Sequence, residues 1–168
     1  MNWITKIIKA GEKIKTAIRE RSTKADIANS DWTSCCRGPI LKKDLEANLW
    51  VCPDCNKHHY ISPTNRFNLM FGKDGWKKIE SPHPPPDPYK WEDTKKYVDR
   101  LKDAKKITGQ DNAILSCEAK INNIDVVVSA VDFKFIGGSI SMAEGENVLA
   151  AVQTALNKKC PYIFVSAS

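Results

Sequence analysis

The stretch IDVVVSAVDFKFIGGSISMAEGENVLAAVQTALNKKCPYIFVSAS, residues 124–168, decides the fold. Its near-continuous apolar run over residues 126–135 is typical of a strand buried on both faces, and residues 162–165 repeat that signal. The residues between them predict a helix, and the order strand, helix, strand predicts a parallel pair with a right-handed crossover. The helix residues expected on the face that covers the sheet are Val148, Leu149, Val152 and Leu156.

A glycine turn separates the first strand from this helix. Gly137 and Gly138, followed by Ser139, can take positive φ and bring bare backbone close to a ligand. Ser141 and Glu144 have the S-x-x-E spacing of a capping box that opens the helix. Such a turn can direct backbone N–H groups at an anion or a carbonyl oxygen, so it is a candidate binding site.

Upstream of this unit the pattern predicts a hairpin and a charged helix. Residues 114–121, the pair Asn122-Asn123 and residues from 124 onward predict a β-hairpin, because asparagine tolerates the left-handed conformation of tight turns. Residues 92–108 predict a helix that ends at Gly109. Its expected inward positions are Tyr97, Val98, Leu101, Ala104 and Ile107.

Length, charge and cysteine content narrow the class of protein. A chain of 168 residues with a net charge of +6 can bury one modest core and favours anionic partners, although a solvated basic surface explains that charge equally well. No apolar run of about 18 residues predicts a membrane span, and no secretory signal of usual length is present. The six cysteines fit a reducing cytosol and a metal site better than a disulfide framework.

The strongest local chemical signal is a cysteine pattern. Cys35-Cys36 is followed after fifteen residues by Cys52-Pro-Asp-Cys55, and two cysteine knuckles at such spacing are typical of a four-thiolate zinc site. The proximal pair is adjacent rather than separated by two residues, so His58 or His59 is an alternative fourth ligand. A degenerate, metal-free segment is the other interpretation. The expected role of the ion is folding, since so short a segment cannot build a core alone.

The remaining segments are predicted to be helices and connectors outside the main sheet. Residues 1–31 predict a basic amphipathic helix and a linker; the helix could lie on an anionic membrane, imitate a transit peptide or dock on protein. Ser62-Pro63 predicts a short helix that ends at Gly72. The proline-rich run at residues 81–88 predicts an extended connector, with binding to an SH3-like partner as the alternative.

Three stretches together resemble the beta subunit of the bacterial and plastid acetyl-coenzyme A carboxylase carboxyltransferase: residues 133–168, the segment WEDTKKYVDRLKDAKKITG at 91–109, and the cysteine stretch. The resemblance runs from Trp3 to Ser168. It implies an α+β protein in which a zinc ribbon precedes the first part of a crotonase-like ββα domain. The implied organisation is a helix and linker at 1–31, the ribbon at 32–60, a connector at 61–91 and a partial carboxyltransferase domain at 92–168.

The implied activity is transfer of a carboxyl group from carboxybiotin to acetyl-CoA, which gives malonyl-CoA for fatty acid biosynthesis in the cytoplasm. The implied partners are the carboxyltransferase alpha subunit, the biotin carboxyl carrier protein and biotin carboxylase. In the family a Gly-Gly pair that helps form an oxyanion site follows the segment that resembles Ser166-Ala167-Ser168. This sequence ends before that pair, so we expect it to correspond to the first half of a subunit and to be inactive alone.

The resemblance also assigns candidate site residues. Cys36, Cys52 and Cys55 fall on metal-ligand positions, and Cys35 is an additional candidate. Gly137, Gly138 and Ser139 are candidate substrate contacts, and no side chain is assigned as a catalytic nucleophile or base. A basic surface near the CoA nucleotide makes Lys95, Lys96 and Arg100 candidates for phosphate contact, although a solvated helix face explains them as well.

Two other functions are compatible with the sequence. A zinc ribbon with Lys42, Lys43 and Lys57 could hold RNA or DNA through phosphates, with Trp50 and Tyr60 available for stacking. A vestigial, non-catalytic fragment is the second possibility, because an apolar strand at residues 162–165 would leave a sheet edge that promotes aggregation.

Overall fold

The computed structural model describes residues 31–35 and 38–168. The predicted N-terminal amphipathic helix lies outside the described residues. The chain divides into two compact units, Met1–Tyr60 and Ile61–Ser168, and its secondary structure is mixed α+β. Among the described residues, no helix combines the length and the apolar character needed to cross a membrane.

The described part of the first unit is a small hairpin followed by a short helix. Strands β1 (Trp32–Cys35) and β2 (Gly38–Leu41) pair antiparallel, and helix α1 spans Lys42–Ala47. Leu45 and Cys52 are the buried side chains among its described residues. Two buried side chains cannot offset the conformational entropy of ordering such a segment, so the described part of this unit needs another source of stability.

The second unit is a four-stranded sheet with helices on both faces. Its strands lie in the order β3-β4-β5-β6; β5 and β6 are parallel and the other pairs are antiparallel. The elements in chain order are α2 (Pro63–Phe71), β3 (Trp76–Lys78), α3 (Tyr97–Thr108), β4 (Ile114–Ile121), β5 (Ile124–Val131), α4 (Met142–Lys158) and β6 (Tyr162–Val165). Residues 61–91, for which we predicted a connector, thus supply a helix and an edge strand to this unit.

Each face of the sheet has its own core. Phe67 of α2 is fully buried against one face, where it packs on Cys117 and Val128. The other face carries Val127, which packs against Ala151 and Ala155 of α4. A central strand with apolar side chains on both faces reads as a continuous apolar run, which is why β5 could be predicted from the sequence.

The hairpin turn and the ends of the first helix of the second unit are present where the sequence predicted them. Asn122 and Asn123 have φ of 49° and 66° and join β4 to β5, as the hairpin prediction required. The side chain of Ser62 accepts a hydrogen bond from Asn65 N at the start of α2, and Gly72 ends that helix. These predictions are confirmed.

The strand predicted over residues 126–135 ends earlier than expected. β5 stops at Val131 because Asp132 turns the chain: its carbonyl accepts from Phe135 N (3.0 Å) and its carboxylate accepts from Lys134 N (2.8 Å). Phe135 is still buried, since the turn folds it back into the core formed with Ala104 and Ile114. The apolar side chain of Phe135 is therefore explained by burial within a turn and not by membership of a strand.

The face of α4 that covers the sheet was predicted correctly at Val148, which packs against the core around Phe135, but wrongly at Leu149 and Leu156. Leu149 and Leu156 are 63% and 65% exposed, whereas the buried residues of α4 are Glu144, Asn147, Ala151 and Ala155. Small alanines let the helix approach the sheet closely, and the two polar residues are buried because they bond to β4 and to its preceding loop. Hydrophobic periodicity alone selected the larger side chains, and two of these lie on the wrong face.

The helix predicted over residues 92–108 begins only at Tyr97. Before it, Asp93 accepts a hydrogen bond from Lys95 N (3.0 Å), which stabilises a turn in place of a helical start. Gly109 ends α3 in the left-handed conformation, as predicted, and Ala104 is buried. Ile107 is 68% exposed, so its predicted inward orientation is wrong.

Candidate functional site

Three thiols meet in the first unit. The sulfur atoms of Cys35, Cys52 and Cys55 all lie within 4.8 Å of one another, and the Cys35 and Cys55 sulfurs are 3.4 Å apart. Cys52 is buried, while the other two are half-buried. The prediction gave Cys35 less weight than Cys36, but Cys35 belongs to the cluster; Cys36 lies outside the described residues.

The backbone of the Cys52-Pro-Asp-Cys55 segment explains how the side chains of Cys52 and Cys55 converge. Cys52 O accepts a hydrogen bond from Asn56 N (2.9 Å), and Cys52 N donates to Lys57 O (2.9 Å). Asn56 has φ of 58°, a left-handed conformation that asparagine tolerates. The chain therefore reverses within the Cys52-Pro-Asp-Cys55 segment, and both sulfurs face the same point.

This arrangement fits a tetrahedral metal ion. With metal–sulfur bonds of about 2.3 Å, thiolates in such a site lie roughly 3.8 Å apart, close to the separation found here. Among the described residues no histidine joins the cluster, so neither His58 nor His59 lies in position as a ligand. The side chain of His59 carries a buried Nε2 without a hydrogen-bond partner in the described part of the chain. The three cysteines could hold a metal ion with one position left for a fourth ligand.

The glycine turn lies between β5 and α4 in the second unit. Ile136, Gly137 and Gly138 have φ of 48°, 66° and 74°, so three consecutive residues are left-handed. Gly138 N donates to Phe135 O (2.9 Å) and Ser139 N to Ile136 O (3.3 Å). Two of the predicted ligand-binding amides are thus engaged within the turn, whereas Gly137 N makes no hydrogen bond with any described residue.

The turn packs directly on the segment that follows β6. A Cβ atom built on Gly138 would lie 2.0 Å from Ala167 O and 3.1 Å from a methyl carbon of Val131. β5 and β6 are parallel, so their carboxyl ends meet at one edge of the sheet. Open sheets bind ligands at the carboxyl ends of parallel strands, which makes this edge the candidate binding site.

Glu144 fixes the turn and the start of α4 to the sheet. Its carboxylate, 2% exposed, accepts hydrogen bonds from Ala113 N (2.8 Å), Ser141 N (2.9 Å) and the Ser141 hydroxyl. The predicted capping box is therefore confirmed. Three donors satisfy the buried carboxylate, and the helix N-terminus adds a favourable partial charge.

A cavity of about 1060 Å³ opens beside the turn. Its walls come from the proline-rich segment, from α3 and from the start of α4. Trp91 and Tyr97 meet edge to face with ring centroids 6.4 Å apart. The lining includes Pro84, Pro85, Pro86, Tyr89, Trp91, Tyr97, Leu101, Lys105, Asp111, Ser139 and Ser141. A largely apolar cavity with a few polar groups is typical of a small-molecule site.

The predicted phosphate-binding residues do not line this cavity. Arg100 pairs with both carboxylate oxygens of Asp93 (2.6 and 2.7 Å) and holds the pKa of Asp93 at about 2. Lys95 pairs with Asp103, and Lys96 is exposed at the start of α3. Of the predicted substrate contacts, only Ser139 lies in the cavity wall.

Sequence reasoning missed most of the cavity wall. The sequence predicts an extended connector for the proline-rich segment and assigns no site role to Trp91, Tyr97 or Lys105. Lys105 pairs with Asp111 (3.1 Å) and lowers the pKa of that carboxyl. No local pattern predicts this wall, because its members are brought together only by folding across more than fifty residues.

Comparisons with known proteins give one consistent result. No protein-family model matches the chain. It is 54% identical over 163 residues to a Pelagibacter ubique protein named acetyl-coenzyme A carboxylase carboxyl transferase subunit beta, covering 97% of this chain and 53% of that protein. Proteins of the same name from Beijerinckia indica and Bartonella quintana are 36% and 38% identical over all of this chain, which covers 56% and 54% of their lengths. The chain spans about half the length of the curated relatives it matches.

Proposed function

Because this chain is a homologue of acetyl-coenzyme A carboxylase carboxyl transferase beta subunits over about half of their length, we propose that it contributes part of a carboxyltransferase site. The reaction proposed is transfer of a carboxyl group from carboxybiotin, carried on a partner protein, to acetyl-CoA. The product is malonyl-CoA, the building block of fatty acid biosynthesis. The fold proposed for the second unit is the first part of a crotonase-like domain.

The observation that carries this proposal is the contact between the glycine turn and Ala167. Removal of a proton from the acetyl methyl creates an enolate, and fixed backbone N–H groups are an effective way to stabilise its oxygen. The N–H of Gly137, which makes no hydrogen bond with any described residue, is the proposed first donor at the carboxyl end of β5. The segment after β6 lies against the same turn, so a second donor beyond Ser168, as the family resemblance implies, would face it.

The cavity beside the turn is the proposed place for part of the acyl-CoA. Ser139 lies in its wall, so a ligand there reaches the turn where the chemistry is proposed. Trp91 and Tyr97 offer apolar ring surface, and Lys105 offers a cation at the same wall. Lys95, Lys96 and Arg100 remain candidates for phosphate contact outside the cavity, although contact by Lys95 or Arg100 would require exchange of a carboxylate partner.

We also propose that the cysteine cluster is a zinc ribbon with a structural role. Three convergent thiols fit zinc, and Cys36 is the proposed fourth ligand. The ion would link the hairpin β1–β2 to the Cys52–Cys55 segment, which the two buried side chains among the described residues of this unit cannot do alone. The proposed partners are the carboxyltransferase alpha subunit, the biotin carboxyl carrier protein and biotin carboxylase, in the cytoplasm.

Nucleic-acid binding by the ribbon is not favoured. Trp50 is only half-exposed and its indole Nε1 is buried, so its ring is not presented as an open stacking surface. Proteins that hold single strands by stacking expose their rings along a basic groove. No observation in the described residues adds to the sequence argument for this function.

The direct test is malonyl-CoA formation from acetyl-CoA and carboxylated biotin. The protein would be assayed with an alpha subunit and the unmatched part of a beta-subunit relative, because the chain spans about half the length of those relatives. We expect activity in the complete mixture that is lost in Gly138→Ala, whose Cβ would displace the segment at Ala167 from the turn. The Lys43→Ala variant, altered on α1, serves as the control. Absence of activity in the complete mixture, with all components folded, would refute the proposal.

A further inference from the structure

A second buried carboxylate lies at the opposite end of the glycine turn from Glu144. Asp132 directly follows β5 and is 1% exposed. One of its oxygens accepts a hydrogen bond from Lys134 N (2.8 Å), and the other accepts from the side-chain amide of Gln110 (3.0 Å). A buried carboxylate is unfavourable unless hydrogen-bond donors face both of its oxygens, so the Gln110 amide helps to keep Asp132 in place.

The backbone of Asp132 begins the succession of hydrogen bonds that shapes the turn. Its N–H donates to Ala113 O (2.7 Å), and its carbonyl accepts from Phe135 N (3.0 Å). Phe135 O in turn accepts from Gly138 N (2.9 Å). The N–H of Gly137 lies within this succession and makes no hydrogen bond with any described residue. Its direction is therefore set by the residues on either side, and through them by the position of Asp132.

Gln110 reaches the turn from a loop that is distant in sequence. It follows α3, where its N–H donates to Thr108 Oγ1 (3.2 Å), and its half-buried side chain bonds to Asp132, 22 positions later. The same loop carries Ala113, whose N–H donates to Glu144 (2.8 Å). The loop between α3 and β4 thus holds both buried carboxylates, one before the turn and one after it. Two such attachments restrict the turn between them more than either would alone.

We propose that Gln110 is a positioning residue that acts through Asp132 on the N–H of Gly137. This inference rests on the proposed carboxyltransferase function, in which that N–H is the first donor to the enolate oxygen. A backbone donor stabilises a developing negative charge strongly only when it is aimed at the oxygen before the reaction begins. The Gln110 amide limits the movement of Asp132, and with it the misalignment of this donor.

The test separates hydrogen bonding by Gln110 from simple packing. Gln110→Met keeps the length of the side chain and removes the donor, whereas Gln110→Lys keeps a nitrogen donor. Each variant would be assayed with an alpha subunit and the unmatched part of a beta-subunit relative. We expect Gln110→Met to lower kcat about tenfold and to change KM less than about twofold, because the lost alignment affects mainly the transition state. Gln110→Lys should recover most of kcat.

The matched control is Gln153→Met. Gln153 lies on the exposed side of α4, where its side-chain amide donates to Asn157 (2.9 Å) at the surface. Its replacement removes the same kind of donor and should leave kcat and KM unchanged. Thermal unfolding midpoints above the assay temperature would confirm that every variant is folded.

Amide hydrogen exchange of the protein alone gives a second readout, which needs no catalysis. The N–H groups of Lys134 and Gly138 are hydrogen-bonded within the turn. We expect Gln110→Met to speed their exchange about fivefold or more, since local opening of the turn becomes easier, and to leave exchange in β5 unchanged. Gln153→Met should change neither.

The outcomes distinguish this inference from the proposed function. An active parent mixture with an equal kcat in Gln110→Met, or an equal loss in Gln110→Met and Gln110→Lys, would overturn the positioning role and leave the carboxyltransferase proposal standing. Unchanged exchange at Lys134 and Gly138 would overturn it as well, whether or not the mixture is active. An inactive parent mixture would count against the carboxyltransferase function, and the exchange rates would still decide whether Gln110 holds the turn.

Discussion

Glu144, in the first turn of α4, accepts a hydrogen bond of 2.8 Å from the backbone N–H of Ala113, which precedes β4. The two residues are 31 positions apart, and Glu144 is 2% exposed while Ala113 is fully buried. Asn147, one turn later, donates to Ile114 O (3.0 Å) and accepts from the Ser116 hydroxyl. A row of polar groups therefore fixes α4 against β4, and with it the glycine turn.

Replacement of Glu144 by alanine should destabilise the second unit by about 2–4 kcal/mol, because Ala113 N and Ser141 N would lose their acceptor. The measurement is urea-induced unfolding followed by tryptophan fluorescence. Glu146→Ala on the same helix is the matched control and should change the free energy of unfolding by less than about 0.5 kcal/mol. Equal effects of the two substitutions would contradict this account of Glu144.

Gly138→Ala should be far more destabilising than Gly137→Ala. Both residues have positive φ, which costs a side chain about 1 kcal/mol. Only at Gly138 would the new Cβ lie 2.0 Å from Ala167 O; at Gly137 no atom lies within 4 Å. We expect Gly138→Ala to lower the thermal midpoint by several degrees more than Gly137→Ala. A similar midpoint for both variants would mean that the segment after β6 does not lie against the turn.

Removal of the proposed zinc should unfold the first unit and leave the second folded. The measurements are metal content by atomic emission and hydrogen exchange before and after chelation. We expect one zinc per chain, its loss in Cys52→Ala, and its retention in Cys117→Ala, whose cysteine lies in the core of the second unit. Fast exchange confined to residues 31–60 after chelation would agree with a structural ion. Unchanged exchange there would contradict it.

The Asp93–Arg100 pair should contribute to stability above about pH 4 and lose that contribution on acidification. Its side-chain hydrogen bond to Arg100 depresses the folded-state pKa of Asp93 to about 2, below the ordinary value of 3.8. A depressed pKa means that the unfolded chain takes up the proton first, so stability falls as pH drops from about 4 to about 2. The difference in thermal midpoint between the parent and Asp93→Asn should therefore shrink over that range. A difference that stays constant with pH would exclude this ion pair as its source.

Features encoded by neighbouring residues could be predicted from the sequence. The turn at Asn122-Asn123, the capping box and the left-handed glycines each depend on the conformational range of one or two residues, and all formed as expected. β5 was recognisable because a strand buried on both faces is apolar along most of its length; its one buried polar residue, Ser129, is hydrogen-bonded to Ser116. The cysteine cluster was recognisable because thiol spacing is a local property, and Cys35, which the sequence offered as an additional candidate, belongs to it.

Features that depend on contacts between residues far apart in the sequence could not be predicted from the sequence. The sheet-facing side of α4 is set by Glu144 and Asn147, whose burial is favourable only because β4 and its preceding loop offer partners. Hydrophobic periodicity depends only on the residues of the helix itself and does not reflect these hydrogen-bond partners. It therefore favoured Leu149 and Leu156. The wall of the cavity likewise joins the proline-rich segment, α3 and the start of α4, which no sequence spacing relates.

By itself the sequence determined the α+β class, the glycine turn, the hairpin and the thiols, since each follows from the intrinsic preferences of adjacent residues. Only the tertiary structure decided that the turn lies against Ala167, that Glu144 is buried and that Leu149 and Leu156 are not. The physical reason is that a side chain becomes buried or hydrogen-bonded only when another part of the chain packs against it. Which surface a helix presents is fixed by the element that it meets.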